Sequence, residues 1–272
     1  MASFKSLRIE QPAAGIGELV LAGPGRGNPM GPDFWQELPA AVAALENDAA
    51  LRAVVVRGDG GHFSYGLDLA AMGAQIGPIL GDGAEGRPRI VDLARRMHLG
   101  FAAIAASRLP FVAAIDGWCI GAGIELACAC DLRIASQGAR FALREVKVGI
   151  VPDLGGIQRL PHLVGEGWAR RLALTGAELD AATALRIGLV EDLAADGAAT
   201  LAAAHALAAA IAANPPLVVA GIKQVMNARL AGAVADGNRE AATLNGMLMQ
   251  SEDFAEAMRA FMEKREPAFR GR

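Results

Sequence analysis

Glycines at 117, 121 and 123 interrupt an otherwise apolar run, and they decide what can be built around them. Phe111-Val-Ala-Ala-Ile115 has the composition of a buried strand, and the residues after Gly123 continue as Ile, Leu, Ala and Cys in the manner of a helix. Strand, glycine turn and helix start in direct succession leave backbone N–H groups free to point at a ligand atom. The missing Cβ lets the main chain approach that ligand closely. Glu125 stands three residues beyond Ala122, about 4.5 Å further along a helix axis and nearly one turn on. A carboxylate in so apolar a run is costly unless something pairs with it or uses it.

The rest of the chain narrows the class. A chain of 272 residues with 53% hydrophobic and 20% charged residues suits one substantial domain with a helical appendage. Its net charge of −3 offers no general attraction to nucleic acid or to an anionic membrane. The first residues lack the apolar core of a secretory signal. The Ala-rich run 198–213 is broken by His205, ends at Asn214-Pro-Pro216, and is short for a bilayer. Cys128 and Cys130 are spaced for neither a disulfide framework nor zinc. The expectation is a cytoplasmic, reduced protein with no metal and no separate cofactor.

Taken in order, 17–22 reads as a strand, 23–32 as a loop, and Asp33 as the N-cap of a helix carrying Phe34, Leu38, Val42 and Leu45. Ala53 to Arg57 is a second strand, followed by a turn around Gly66 with Asp68 placed to cap. Five glycines and two prolines in 73–88 predict a mobile surface loop. Leu93, Met97, Phe101 and Ile104 mark an amphipathic helix, and 131–135 a strand. From Ile157 the pattern is helical almost to the end, with breaks near Gly165, Gly176, Gly188 and Pro215-Pro216. A last helix over about 252–264 carries Phe254, Met258, Phe261 and Met262 on a stripe fit for its own core or for a subunit interface. This order implies an α/β core with a C-terminal helical layer.

Gly121-x-Gly123 is not a dinucleotide fingerprint, because Leu126 holds the third glycine's place and no acid follows at about 20 residues. No phosphate loop, nucleophile elbow or metal spacing of histidines is present. Three acids remain. Glu125 is either functional or a buried partner of an arginine such as Arg133. Glu145, between Arg144 and Lys147, has a surface ion pair as its plain explanation. Asp153, after Pro152, has a turn or a helix cap.

Together these segments resemble the crotonase (enoyl-CoA hydratase/isomerase) superfamily. The resemblance rests on His62-Phe-Ser-Tyr-Gly-Leu-Asp-Leu69, on Pro110 through Arg133, and on Glu145-Val-Lys-Val-Gly-Ile-Val-Pro-Asp-Leu-Gly-Gly156 with its sequel to Pro161. It continues through Leu174 to Val190 and Phe261 to Gly271. It implies a spiral of ββα units over 1–198 that binds acyl-CoA, and a helical region over 199–272 that builds homotrimers, commonly paired into hexamers.

The shared chemistry of that family is stabilisation of a thioester enolate. By resemblance the oxyanion hole is the backbone N–H of Leu67 and of Ala122, and CoA crosses Tyr65, Gly66 and Asp68, with Phe261 and Lys264 reaching a neighbouring subunit's ligand. CoA is then part of the substrate. Glu125 and Glu145 match the two glutamates with which family hydratases add water to 2-enoyl-CoA. Asp153 departs from that pattern, since hydratases usually carry glycine there and dienoyl-CoA isomerases an aspartate. Asn28 to Trp35 and Leu244 to Gln250 also resemble the isomerase branch. Hydration is the leading expectation. Isomerisation of 3,5- to 2,4-dienoyl-CoA through Glu145 and Asp153 is the alternative, and a non-catalytic acyl-CoA-binding oligomer the rival from another class.

Overall fold

The computed structural model describes residues 3–272. Its strands are β1 (Leu7–Ala13), β2 (Ile16–Leu21), β3 (Ala53–Gly58), β4 (Phe111–Ile115), β5 (Trp118–Ile120), β6 (Leu132–Ser136), β7 (Arg140–Ala142), β8 (Glu178–Asp180) and β9 (Asp192–Ala194). Its helices are α1 (Pro32–Asn47), α2 (Leu69–Gly81), α3 (Gly86–Ala106), α4 (Ala122–Ala129), α5 (Gly156–Thr175), α6 (Ala181–Arg186), α7 (Gly197–Ala212), α8 (Pro216–Leu248) and α9 (Glu252–Glu263).

The larger sheet has six strands in the order β1-β2-β3-β4-β6-β9, parallel from β2 onward. A parallel sheet is covered on both faces, so its strands are continuous apolar runs rather than alternating ones. Ile16–Leu21 and Phe111–Ile115 are buried at every position. Val54 and Val56 join the core with Phe34, Leu38, Phe101 and Ile104 of α1 and α3. Ala53, Val55, Val112 and Ala114 join Ala204 and Ala208 of α7 on the opposite face. Each such Val or Leu contributes roughly 1.5–3 kcal/mol on leaving water. Strand β1 escaped the sequence reading because it is an edge strand, charged and ending near Pro12, with only its first residue fully buried.

Chain β4–β5–α4, and again β6–β7–α5, places one strand in the large sheet, one in a three-stranded sheet β5-β7-β8, and then a helix. After β3 the same step is made by Ser64, bridged to Cys119 of β5, before α2 and α3. This is the expected ββα spiral.

Several local expectations are corrected. Residues 73–88 are not a loop but most of α2, a short 3-10 turn and the start of α3. Asp68 accepts from Ala71 N and starts α2, while Met72 and Ile79 bury its inner side. Gly86 is a packing glycine, since a Cβ there would overlap the Ile79 carbonyl. Helix α1 begins at Pro32, with Gly31 rather than Asp33 as N-cap. Strands β8 and β9, three residues each, lie inside the region read as helical because so short a run carries no period.

Breaks at Gly165 and Gly176 are present, as a kink inside α5 and its left-handed C-cap. Since α7 covers the sheet, the helices that stand off it begin with α8. Helix α8 has the length and apolarity of a membrane span. It also carries buried Lys223, whose Nζ donates to Ile104 O at 2.9 Å, Leu109 O at 2.7 Å and Asp131 Oδ2 at 2.8 Å. Leu217, Val218, Ile222, Val225 and Met226 of α8 remain exposed.

Candidate active site

The two glycine turns meet. Around the first, Asn28 in a left-handed conformation donates to the carbonyls of His62 and Phe63, and Ser64 Oγ donates to Asn28 O at 3.0 Å. Gly66 N donates to Ser64 Oγ, Met30 N to Gly66 O, and Asp68 N to Met30 O. These bonds fix the main chain on both sides of Leu67, whose own N–H has no acceptor among the described residues.

The second turn is Gly121, at φ +55°, whose N donates to Ala142 O and whose carbonyl accepts from Ile124 N and Glu125 N. Ala122 N, the first amide of α4, likewise has no acceptor among the described residues. A Cβ on Gly66 would stand 2.7 Å from Ile120 O and 3.2 Å from Ala122 N, so the turns abut.

Three carboxyl groups gather behind them. Glu125 is 1% exposed, and its Oε2 accepts from Leu154 N at 3.0 Å and Gly156 N at 2.7 Å. A Cβ on Gly156 would lie 2.8 Å from that oxygen. The partner is therefore not Arg133, which is bonded to Glu191 and to the carbonyls of Leu189 and Cys130.

Glu145 is not a surface ion pair either. It is 7% exposed, Oε2 has no partner among the described residues, and Arg144 turns away to Glu178. The left-handed residue Gly149 closes the 3-10 turn Glu145–Val148, and this turn draws the carboxyl inward. Oε1 would lie 3.0 Å from a Cβ on Gly121, beside the turn that presents Ala122 N. Asp153 is not a cap, because α5 has Gly155 at its N-cap with no side-chain bond; its Oδ2 accepts from Asn245 Nδ2 at 3.1 Å.

Burial displaces the titration of all three, and repulsion adds to it at the two glutamates. Glu125 is held well above the ordinary carboxylate value by burial first, then by the charges of Glu145 and Asp153, against the pull of its two N–H donors. Glu145 is raised to about 7 by burial and by Asp153. Asp153 is raised to about 6 by burial, with the Asn245 donor opposing. Groups poised near neutrality can give and take protons.

Of the remaining expected residues, Tyr65 packs at a tilt against His62, with ring centroids 5.0 Å apart, and covers Gly27. Phe261 and Lys264 lie at the end of α9, Phe261 58% exposed, and neither side chain is hydrogen-bonded to the turns or the acids. Helix α9 does reach the Glu145 turn, where Phe254 packs on Gly149. Sequence reasoning missed His98 and Asn245. His98, on α3, lies beside the backbone of Asp153, and burial pushes its imidazole down to about 4. Asn245 is fully enclosed on α8; it stands within the Leu244 to Gln250 segment that resembles the isomerase branch, but the sequence alone assigns it no role.

A family model described as enoyl-CoA hydratase/isomerase matches residues 11–272. The Dictyostelium discoideum mitochondrial Delta(3,5)-Delta(2,4)-dienoyl-CoA isomerase is 36% identical, over 98% of this chain and 92% of that protein. A probable enoyl-CoA hydratase of Bacillus subtilis is 32% identical, over 90% of this chain and 91% of that protein. The crystal structure of an enoyl-CoA hydratase/isomerase from Pseudoalteromonas atlantica superposes with a TM-score of 0.84 at 27% identity, covering 98% of this chain and all (100%) of that one. With its ββα spiral and its two abutting glycine turns, the chain belongs to the enoyl-CoA hydratase/isomerase family, the crotonase superfamily.

Proposed function

We propose that this enzyme isomerises 3,5-dienoyl-CoA to 2,4-dienoyl-CoA. The observation that carries the reading is Asp153, a third acid coupled to Glu145 and Glu125 rather than spent on a helix cap. The thioester oxygen would accept from Leu67 N and Ala122 N, each donor worth roughly 3 kcal/mol as negative charge develops. Ala122 N also begins α4, where the helix dipole favours an anion.

Glu145 lies against the Ala122 turn, and for a thioester held by that turn it would stand next to C2, the carbon beside the carbonyl. As carboxylate it takes the C2 proton; the electron pair spreads over the diene to the thioester oxygen. Asp153, further along, delivers a proton to C6, and the double bonds settle at C2 and C4. One proton is removed and one added, with no change of oxidation state. Acids near 7 and 6 share on the order of one proton in that range; the higher value of Glu145 puts it there more often, so the step starts from the less populated arrangement with Glu145 ionised and Asp153 protonated. Glu125, tied to Leu154 N and Gly156 N, holds the loop that carries Asp153.

CoA would cross Tyr65, Gly66 and Asp68. The exposed apolar stripe of α8 suits a trimer interface, which would also bring Phe261 and Lys264 to a neighbour's ligand.

Hydration of 2-enoyl-CoA remains the second reading, favoured by Glu125, which with Glu145 forms the pair suited to hold one water. Incubating the protein separately with a 2-enoyl-CoA and a 3,5-dienoyl-CoA tests both. Isomerisation gives unchanged mass and a new 2,4-dienoyl chromophore; hydration adds one water. Binding of both esters without turnover would overturn the enzymatic assignment of these acids.

A further inference from the structure

Asp153 is held from an element 92 residues away in sequence. The side chain of Asn245 on α8 is 0% exposed, and every hydrogen bond it makes goes to one loop. Its Oδ1 accepts from Val151 N at 2.9 Å; its Nδ2 donates to Val151 O at 2.9 Å and to Asp153 Oδ2 at 3.1 Å. Only a primary amide offers an acceptor and two donors from one short side chain. Enclosing an amide is costly, and a leucine would fill the space more cheaply if packing alone were required.

We propose that Asn245 is the positioning residue of the third acid, fixing both the place of the Asp153 carboxylate and its readiness to carry a proton. The proposal rests on the isomerase reading of Asp153. The groups acting on this carboxyl come from three other elements: Glu125 from α4, Glu145 from its 3-10 turn, and His98 from α3. Burial disfavours its charge, and its charge in turn raises both glutamates. Burial keeps His98 neutral above about pH 4, so it brings no compensating cation. The Asn245 N–H is therefore the side-chain donor that keeps the carboxylate accessible near neutrality. Thus the C-terminal helix, remote in the chain, sets the state of an acid in the spiral core.

The test uses full-length protein labelled with 13C at aspartate side-chain carboxyls. The Asp153 resonance is assigned by its loss in Asp153→Asn. Asn245→Asp keeps an acceptor for Val151 N but replaces both donors with a like charge; Asn245→Ala removes all three bonds and serves if the first variant does not fold. The parent midpoint should lie well above the ordinary aspartate value, and each variant should raise it by about one pH unit or more. The alkaline limb of dienoyl-CoA isomerisation, set by the acid that must start protonated, should move with it, and the misplaced donor should lower kcat at neutral pH about tenfold or more with KM nearly unchanged.

A midpoint that stays put in the variants, or a loss equal at every pH that merely follows a lowered Tm, overturns the proposal. A midpoint that moves in a protein without dienoyl isomerase activity overturns the isomerase reading and leaves Asn245 as the residue that positions Asp153.

Discussion

Gly66 and Ala122, from turns 56 residues apart in the sequence, approach so closely that a Cβ on the glycine would stand 3.2 Å from the Ala122 amide nitrogen. It would stand 2.7 Å from Ile120 O as well, and Gly66 sits at φ +82°. Only glycine satisfies both conditions. Gly66→Ala should therefore push the two turns apart and misdirect one or both free amides. Loss of one such donor costs roughly 10²–10³ in kcat, so kcat of the folded variant should fall by about that factor, with weaker effects on CoA-ester binding. Steady-state kinetics beside a circular dichroism spectrum check it; a variant with the parent's kcat would remove the turns from the mechanism.

Glu145→Gln should abolish isomerisation and hydration alike, because both readings use this carboxyl as base. The same change should alter stability in a pH-dependent way. The folded group titrates near 7 against an ordinary 4.5. The native chain therefore binds the proton more tightly than the unfolded chain, and this contribution is full below about 4.5 and lost as pH rises through about 7. Glutamine carries no such loss. The Tm of the variant minus that of the parent should grow between about pH 5 and about pH 8. A constant difference would mean an ordinary carboxyl.

Asp153→Asn should separate the two reactions. Isomerisation needs a proton donor at the far end of the diene, and asparagine cannot deliver one, so a fall of about 10² or more is expected there. Addition of water by Glu125 and Glu145 should survive largely intact. Equal losses with both substrates would show that Asp153 shapes the site without transferring a proton.

Lys223→Met should loosen the C-terminal helices. The ammonium group makes three hydrogen bonds, one to Asp131, and is nearly enclosed, so its removal leaves that carboxylate and two carbonyls short of a partner. Breaking a buried pair in this way costs about 3–5 kcal/mol. Thermal unfolding should show a lowered Tm, and hydrogen exchange should rise first in α8 and the C-terminal end of α3. An unchanged Tm would show that packing alone holds α8.

Much of this protein is legible in its sequence. Strands β2, β3, β4 and β6 announce themselves as short apolar runs, and the glycine turns at 66 and 121 as interruptions between strand and helix. These are local properties, fixed by side-chain size, period and the absence of a Cβ, and a linear reading recovers them. Glycine content misled at 73–88, where Gly86 serves close packing against Ile79 instead of mobility. Composition does not distinguish those two uses.

Tertiary structure alone decided the state of the acids. Nothing in the neighbourhood of Glu145 tells that Arg144 pairs with Glu178 and leaves the glutamate enclosed; nothing near Asp153 tells that Asn245 holds it. Burial and charge act through space, over contacts between residues tens of positions apart, and it is these that lift a carboxyl from its ordinary titration toward neutrality. The sequence determined which groups are present and which backbone turns they flank. The folded chain determined which of them share a solvent-poor site, because desolvation depends on what surrounds a group and not on what precedes it in the chain.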